Sequence, residues 1–321
     1  MAGHEQSIIS KPRIIMSFLS ARILPALTLF AVFFASSCDQ QPRAAAVEKP
    51  VAPSTPAGLD YWDGGKAELN TYAVEQERYG EIRRAGQVMV FVTEDFSANK
   101  QVKLDAAAEG GDQRAPVLKL NTIRHFETGI YDYSIMQSVF TPTDTSGGPA
   151  RSLKTTTSIQ DWCGQVFVQC NAGAEDYRVQ SFSYFESEGD TDTRLRPGLL
   201  EDELWTLIRL NPGALADKKT TVLPAVAYVR LRHKPLQPED AQIGIKRNGA
   251  ESELLLTYRN IPRRLGIRFE TAFPHRILGW EETDNGRLSS RGVLRNTLLN
   301  AYWQHNSRAD STLRALLNPG F

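Results

Sequence analysis

The sequence predicts a mainly β protein of the α+β class: a large curved antiparallel sheet, or a sandwich, with one or two short helices packed on it. Three observations lead there. Runs rich in Thr, Val, Phe and Tyr, cut by Gly, Asn and Asp, recur along the chain and are densest from Leu153 to Glu186. These runs follow one another through hairpin-type breaks rather than helical crossovers, which makes the sheet antiparallel. Only Glu201 to Leu210 carries a helical period with both a start and a stop signal. The 321 residues are 41% hydrophobic and 23% charged, too apolar for a disordered chain, and 37 basic residues balance 37 acidic ones. That balance gives no electrostatic reason to expect nucleic acid as a partner.

Lys11, Arg13 and Arg22 precede an apolar run from Ile23 to Phe34, which ends in Ala35-Ser36-Ser37-Cys38. The run has the length of a signal-peptide core and is short for a membrane-spanning helix. Small residues immediately before a cysteine resemble the lipobox of bacterial lipoproteins. The resemblance implies cleavage before Cys38, with diacylglycerol on its thiol and an acyl chain on its new amine. Ala35 stands where Leu is usual, and Met16 offers a second start. Residues 1–37 are then a lipoprotein signal peptide, and their removal leaves 34 basic and 36 acidic residues, a net charge of −2. Asp39 follows, and by resemblance to enterobacterial lipoproteins it favours retention in the inner membrane, with the outer membrane as the alternative. Residues 38–58 form the lipidated cysteine and a flexible tether, Pro- and Ala-rich, with a reach of roughly 50–60 Å at about 3 Å per residue.

A single antiparallel β-rich domain is expected over residues 59–321. Glu68 to Tyr79 alternates as a strand. Gln87 to Phe96 is a strand whose continuous apolar core implies burial on both faces. Ser97 to Ala115 is a polar loop. Val117–Phe126 and Ile130–Phe140 form a hairpin around Thr128-Gly129. Thr141–Ala150 is a loop, Leu153–Glu186 supplies about three strands, and the acidic run Glu186–Asp192 is a solvated loop. Acidic residues at the start of Glu201–Leu210 complement the helix dipole, Leu204, Leu207 and Ile208 share one face, and Asn211-Pro212-Gly213 stops the helix. Thr220–His233 reads as a strand with an edge or bulge at Pro224. Leu254–Tyr258 and Gly266–Phe273 flank a turn at Asn260–Arg264. Asp284-Asn285-Gly286 is a strong turn signal after Arg276–Glu281. Val293–Trp303 fits strand or helix, and Ser311 caps a short helix to Leu317. The total is eleven or twelve strands and two helices.

No catalytic residue is assigned. Cys163 and Cys170 lie seven apart on what reads as one strand, about 23 Å from each other, while a disulfide needs Cα atoms within about 7 Å. Buried free thiols are expected; a disulfide through a local reversal and a catalytic thiol remain open. The histidines stand singly, without metal-ligand spacing, and G-x-S-x-G and phosphate-loop patterns are missing from the sequence. No metal or cofactor is therefore expected. Candidate ligand or partner residues are the aromatics Tyr131, Tyr133, Trp162, Phe182 and Tyr184, and Arg263 with Arg264 at an exposed hairpin end.

The blocks Tyr61-Trp62, Val90–Phe96, Asp161-Trp162-Cys163-Gly164, Leu200–Trp205 and Arg209–Pro212 together resemble an uncharacterised family of bacterial lipoproteins that carries the label "septum formation inhibitor Maf". The cytoplasmic Maf nucleotide pyrophosphatases open with Ser-x-Ser-Pro-Arg-Arg. Here Pro262-Arg263-Arg264 lacks those serines and lies far from the start of the domain, so no nucleotide chemistry follows. The expected function is a non-enzymatic, periplasm-facing lipoprotein, held to the membrane by acyl chains on Cys38, that binds an envelope protein or lipid. The alternative is an envelope hydrolase or thiol enzyme using Cys163 with a histidine. A large apolar cavity on the concave face would favour lipid carriage, and a filled core would favour a protein partner.

Overall fold

A computed structural model of the chain describes residues 59–106, 111–146 and 150–317. The stretches read as a signal peptide and a tether, with Cys38 and Asp39, lie outside the described residues. Among the described residues no helix is long and apolar enough to cross a membrane.

A one-turn helix α1 (Leu59–Trp62) leads into a long meander. Its strands are β1 (Ala67–Arg78), β2 (Glu81–Ser97), the two-residue β3 (Val102–Lys103), β4 (Arg114–Glu127), β5 (Asp132–Pro142), β6 (Lys154–Gln160), β7 (Gln165–Ala172), β8 (Tyr177–Ser183) and β9 (Thr191–Leu195). After β10 (Leu199–Leu200) come a 3-10 turn (Glu201–Glu203) and α2 (Leu204–Leu210). Then follow β11 (Lys218–Leu223), α3 (Val226–Leu231), β12 (Glu239–Asn248), β13 (Glu251–Tyr258), β14 (Arg263–Glu270), β15 (Ile277–Asp284), β16 (Arg287–Asn300) and α4 (Arg314–Leu317).

All sixteen strands belong to one sheet, antiparallel apart from the short β10/β11 pair. Its centre is the pairing of β1 with both β2 and β16, and its two ends are β9 and β10. Only residues 196–198 separate those ends in the chain. Val166, Val168 and Cys170 of β7 and Tyr177 and Val179 of β8 pack on Leu200, Leu223 and Val226. The sheet therefore curls until its ends meet through side chains, a barrel closed by packing rather than by a ladder.

The sandwich alternative is not what forms, because the helical segment occupies the interior. From Leu204 to Arg209 every residue of α2 is buried. Leu204, Trp205, Leu207 and Ile208 pack with Tyr72 and Phe91 on one side and with Leu254, Leu256 and Ile267 on the other. Each fully buried Leu or Ile contributes about 1.5–3 kcal/mol, so the helix is a core element. The concave face is filled.

Several boundaries differ from the sequence reading. Thr220–His233 is not one strand: β11 ends at Leu223, before Pro224, and α3 follows. Proline removes the next ladder donor, and the residues after it turn inward as a helix. β12, unread in the sequence, is the partner that β11 and β13 share. Residues 201–203 open the helix as a 3-10 turn of buried acids rather than as a solvated dipole complement. Val293–Asn300 is strand, and the cap of the last helical segment is Ser307, whose N–H donates to Asp310 Oδ2 at 2.9 Å. Asp161–Gly164 is the β6–β7 turn, so Cys163 is exposed and Cys170 buried. The expected burial of both thiols fails for Cys163; both are free. The Asn285-Gly286 turn forms with positive φ at both residues (52° and 71°), as a two-residue hairpin requires.

Candidate functional site

At the end of the barrel bearing the β1–β2, β4–β5, β6–β7 and β15–β16 turns, the core gives way to a cavity of about 370 Å³. The change is written in the inward rows of neighbouring strands. β1 runs Tyr72, Val74, Gln76, Arg78; β4 runs Leu118, Leu120, Thr122, Arg124; and β2, running the other way, reads Phe91, Met89, Gln87. Each row is apolar at the α2 level and polar at the turn end. Glu201, Asp202 and Trp205 close the inner side, and Tyr228 and Leu231 of α3 form the roof.

Arg124 stands at the centre of the polar wall. Its Nε donates to Gln87 Oε1 at 2.6 Å, and Nη1 donates to Gln76 Oε1 at 2.5 Å and to Ser290 Oγ at 3.5 Å. Its guanidinium lies 5.7 Å from the Trp280 ring, whose Nε1 donates to the same Ser290 Oγ at 3.1 Å. That ring lies across Gly292, where a Cβ would come within 2.2 Å of it. Among the described residues every hydrogen-bond partner of Arg124 is uncharged. Loss of water outweighs the pull of the Glu282 carboxylate and sets its pKa below the ordinary arginine value. Gln87 is 1% exposed, and its Nε2 has no partner. Arg78, at the mouth, likewise bonds only neutral oxygens: Leu231 O at 2.5 Å and the hydroxyls of Tyr133 and Tyr79 at 3.0 and 3.3 Å.

The wholly buried arginine beside the cavity, by contrast, has carboxylate partners. Arg263, wholly buried, grips Glu201 through Nε (3.1 Å) and Nη2, and also meets Glu282 at 3.1 Å. Tyr258 donates to Glu201 Oε2 at 2.6 Å. Asp202 is the exception among the acids: burial and then the neighbouring Glu201 push its carboxyl up to about 7. Glu203 accepts from the N–H groups of Leu200 (2.9 Å) and Ser152 (2.7 Å). Farther down, Arg209 and Glu68 form a bidentate pair at 2.7 and 2.6 Å with neither side chain exposed. Burial raises the Glu68 pKa, but Arg209 outweighs it and holds the carboxyl below its usual range.

Around the mouth, aromatic side chains gather from several turns. Tyr79 and Tyr133 share a 2.6 Å hydroxyl hydrogen bond, Tyr131 lies 5.9 Å from Tyr133, and Trp162 Nε1 donates to Asp132 at 2.8 Å. Tyr184 packs on Phe185 at 4.2 Å, and Phe185 meets His233 edge-on at 5.0 Å. Trp162 is 71% exposed, Tyr79 57% and Tyr184 50%; Tyr133 is buried beneath them.

Four of the seven residues singled out in the folded domain, Tyr131, Tyr133, Trp162 and Tyr184, thus converge here. Phe182 does not: it stacks on Phe167 at 6.4 Å, elsewhere on the sheet. Arg263 is not at an exposed hairpin end; Glu201 draws it inside, and only Arg264 faces solvent. Cys163 has its backbone N–H on Asp161 Oδ1 at 2.7 Å, with Tyr184 nearby. His233 bonds Glu188 at 2.6 Å, His275 the Glu270 carbonyl at 3.2 Å, and His305 lies 3.6 Å from Asp310. Among the described residues no group of three or more His, Cys, Asp or Glu side chains is placed to hold a metal ion.

Sequence reasoning missed Arg78, Arg124, Gln76, Gln87 and Asp202. The signal was the apolar-to-polar drift along each period-2 row, which becomes a site only once the register brings Gln87 opposite both Tyr72 and Arg124. Comparison with known protein families, with curated proteins and with solved structures finds no match to this chain in any of the three.

Proposed function

We propose that this chain is a lipid-anchored envelope protein, held through acylated Cys38 and facing the periplasm, with Asp39 favouring the inner membrane. It acts as a non-enzymatic binding module for a protein partner, which it takes on the turn-bearing end of the barrel. The observation that carries this reading is the rim. Trp162, Tyr79 and Tyr184 stand at least half exposed at three separate turns, beside Ile130 at 84%. Exposed Trp and Tyr clustered with arginine are the side chains that dominate protein-binding hot spots. The filled concave face supports a protein over a carried lipid, since the remaining cavity holds only about 370 Å³ and charged side chains share its lining with apolar ones.

The test is a photo-crosslinker in place of Trp162 in cells fed a clickable palmitate. The expected product is one fatty-acid-labelled adduct of discrete mass, lost when Tyr184→Ser and Tyr79→Ser are added. A crosslinker in place of Leu255, on the far wall, gives none. A band without lipid label would remove the anchor. Equal adducts from both positions would remove the rim.

A further inference from the structure

We propose that the cavity is a binding site for a small ligand carrying one anionic group, a carboxylate or a phosphate ester, on an apolar body, and that Arg124 receives that group. The inference goes beyond the partner surface and stands independently of it.

A guanidinium removed from bulk water loses several kcal/mol of solvation, and a facing carboxylate is the usual compensation. This barrel supplies that compensation for Arg209 and Arg263, each with a bidentate carboxylate. It withholds a directly bonded carboxylate from half-buried Arg124, to which it gives two glutamine amides and a serine hydroxyl, with Glu282 acting only through space. Those partners fix the group in place without neutralising it. Gln87 Oε1 and Gln76 Oε1 take Nε and Nη1, and Trp280 lies near the guanidinium. Nη2 has no hydrogen-bond partner among the described residues.

The second observation is independent of Arg124's charge. Gln87 lines the cavity at 1% exposure, and its Nε2 remains without an acceptor. A buried amide donor left unpaired forfeits its hydration with nothing in return. A carboxylate or phosphate beside Arg124 presents the acceptors that both groups lack.

The rest of the cavity limits the ligand. Met89, Trp205, Ala227 and Leu231 give it an apolar side. Glu201, Asp202 and Glu282 line it too, so a second anionic group would meet carboxylates. Its volume is at the small end of the range for ligand pockets, about 300–1,000 Å³, which accommodates a ring or a short chain and excludes a diacyl lipid. Arg78, bonded only to neutral oxygens, flanks the mouth and favours an anion there, while Arg232 beside it is paired with Glu77.

The experiment is isothermal titration of the purified full-length protein with benzoate, phenyl phosphate and the neutral isostere benzamide. The expected result is a Kd below about 1 mM for at least one anion, at least tenfold tighter than benzamide. Benzoate alone identifies a carboxylate ligand, phenyl phosphate alone a phosphate ester; either supports the proposal. Arg124→Met loses at least tenfold, whereas Arg264→Met, on the outer surface, loses nothing. If Arg124→Met fails to fold, Arg124→Lys keeps the charge and loses the fork, and is expected to weaken binding less than tenfold. No heat with either anion at 10 mM, equal binding of benzamide, or undiminished binding by the position-124 variants overturns the proposal. Rim substitutions such as Tyr184→Ser leave these titrations unchanged, so the loss of one reading does not carry the other with it.

Discussion

Two regions of the interior treat the same side chain in opposite ways. At the level of α2, Arg209 closes on Glu68 with both hydrogen bonds of its fork, between the Trp62 and Phe91 rings at 4.8 and 4.5 Å. One turn-end away, Arg124 is held by uncharged groups with part of its fork unused. The first arrangement locates the helix inside the sheet: it ties α2 to β1, and Pro274 O accepts from Arg209 Nε at 2.8 Å. The second leaves charge facing a space. The difference separates a cation that specifies the fold from one that is kept for something else.

The largest effect that would test this contrast is at the paired site. Glu68→Gln leaves the Arg209 guanidinium buried without a carboxylate, and a loss of about 3–5 kcal/mol is expected in urea unfolding. A loss below about 1 kcal/mol would mean that the pair does not anchor α2. Next comes the acid that lacks a cation of its own. The Asp202 pKa is raised from 3.8 to about 7, by burial first and then by Glu201. The folded state therefore keeps this proton in a range where the unfolded chain has released it. The stabilisation is complete below the unfolded pKa and is lost as the pH rises through the folded one. Relative to Asp202→Asn, the wild type should lose roughly 4 kcal/mol between pH 4 and pH 8. A flat difference would show Asp202 to be ionised throughout. The smallest effect is at the unpaired site. Arg124→Met removes no ion pair but leaves buried Gln87 Oε1 without its donor, so a loss of about 1–3 kcal/mol, below that at Glu68, is expected in the same unfolding assay. A loss as large as that of Glu68→Gln would erase the distinction drawn here.

The sheet was largely legible in the sequence, because alternation is local: Val117–Phe126, Ile130–Phe140 and the Asn285-Gly286 turn could be read one after another. The helix at 201–210 was legible as a helix but not as an internal one. Its charged residues, Glu201, Glu203 and Arg209, look like a solvated face until their partners are known. Those partners are Arg263, Ser152 and Glu68, the last 141 positions away. Burial of a charge depends on what the register brings opposite it, and no window of neighbouring residues contains that. The same blindness put Arg263 on the surface. The β11–α3 junction failed for another reason: Val226, Tyr228 and Val229 have strong strand preferences, and Pro224 reads as a bulge as readily as an ending. The aromatic rim was half legible, since Tyr131, Tyr133, Trp162 and Tyr184 stood out by type, while the turns that gather them lie far apart in the chain.

The ladder between β1 and β16 sets Ala67 opposite Asn300. A nascent polypeptide emerging amino terminus first must hold one flank of its opening strand bare until nearly the whole chain has been delivered. Closing that flank of β1 is thus a late event, although the hairpins from β1 to β9 pair between chain neighbours. A stop codon as late as position 287 removes β16 and leaves the flanks of both β1 and β15 as bare edges.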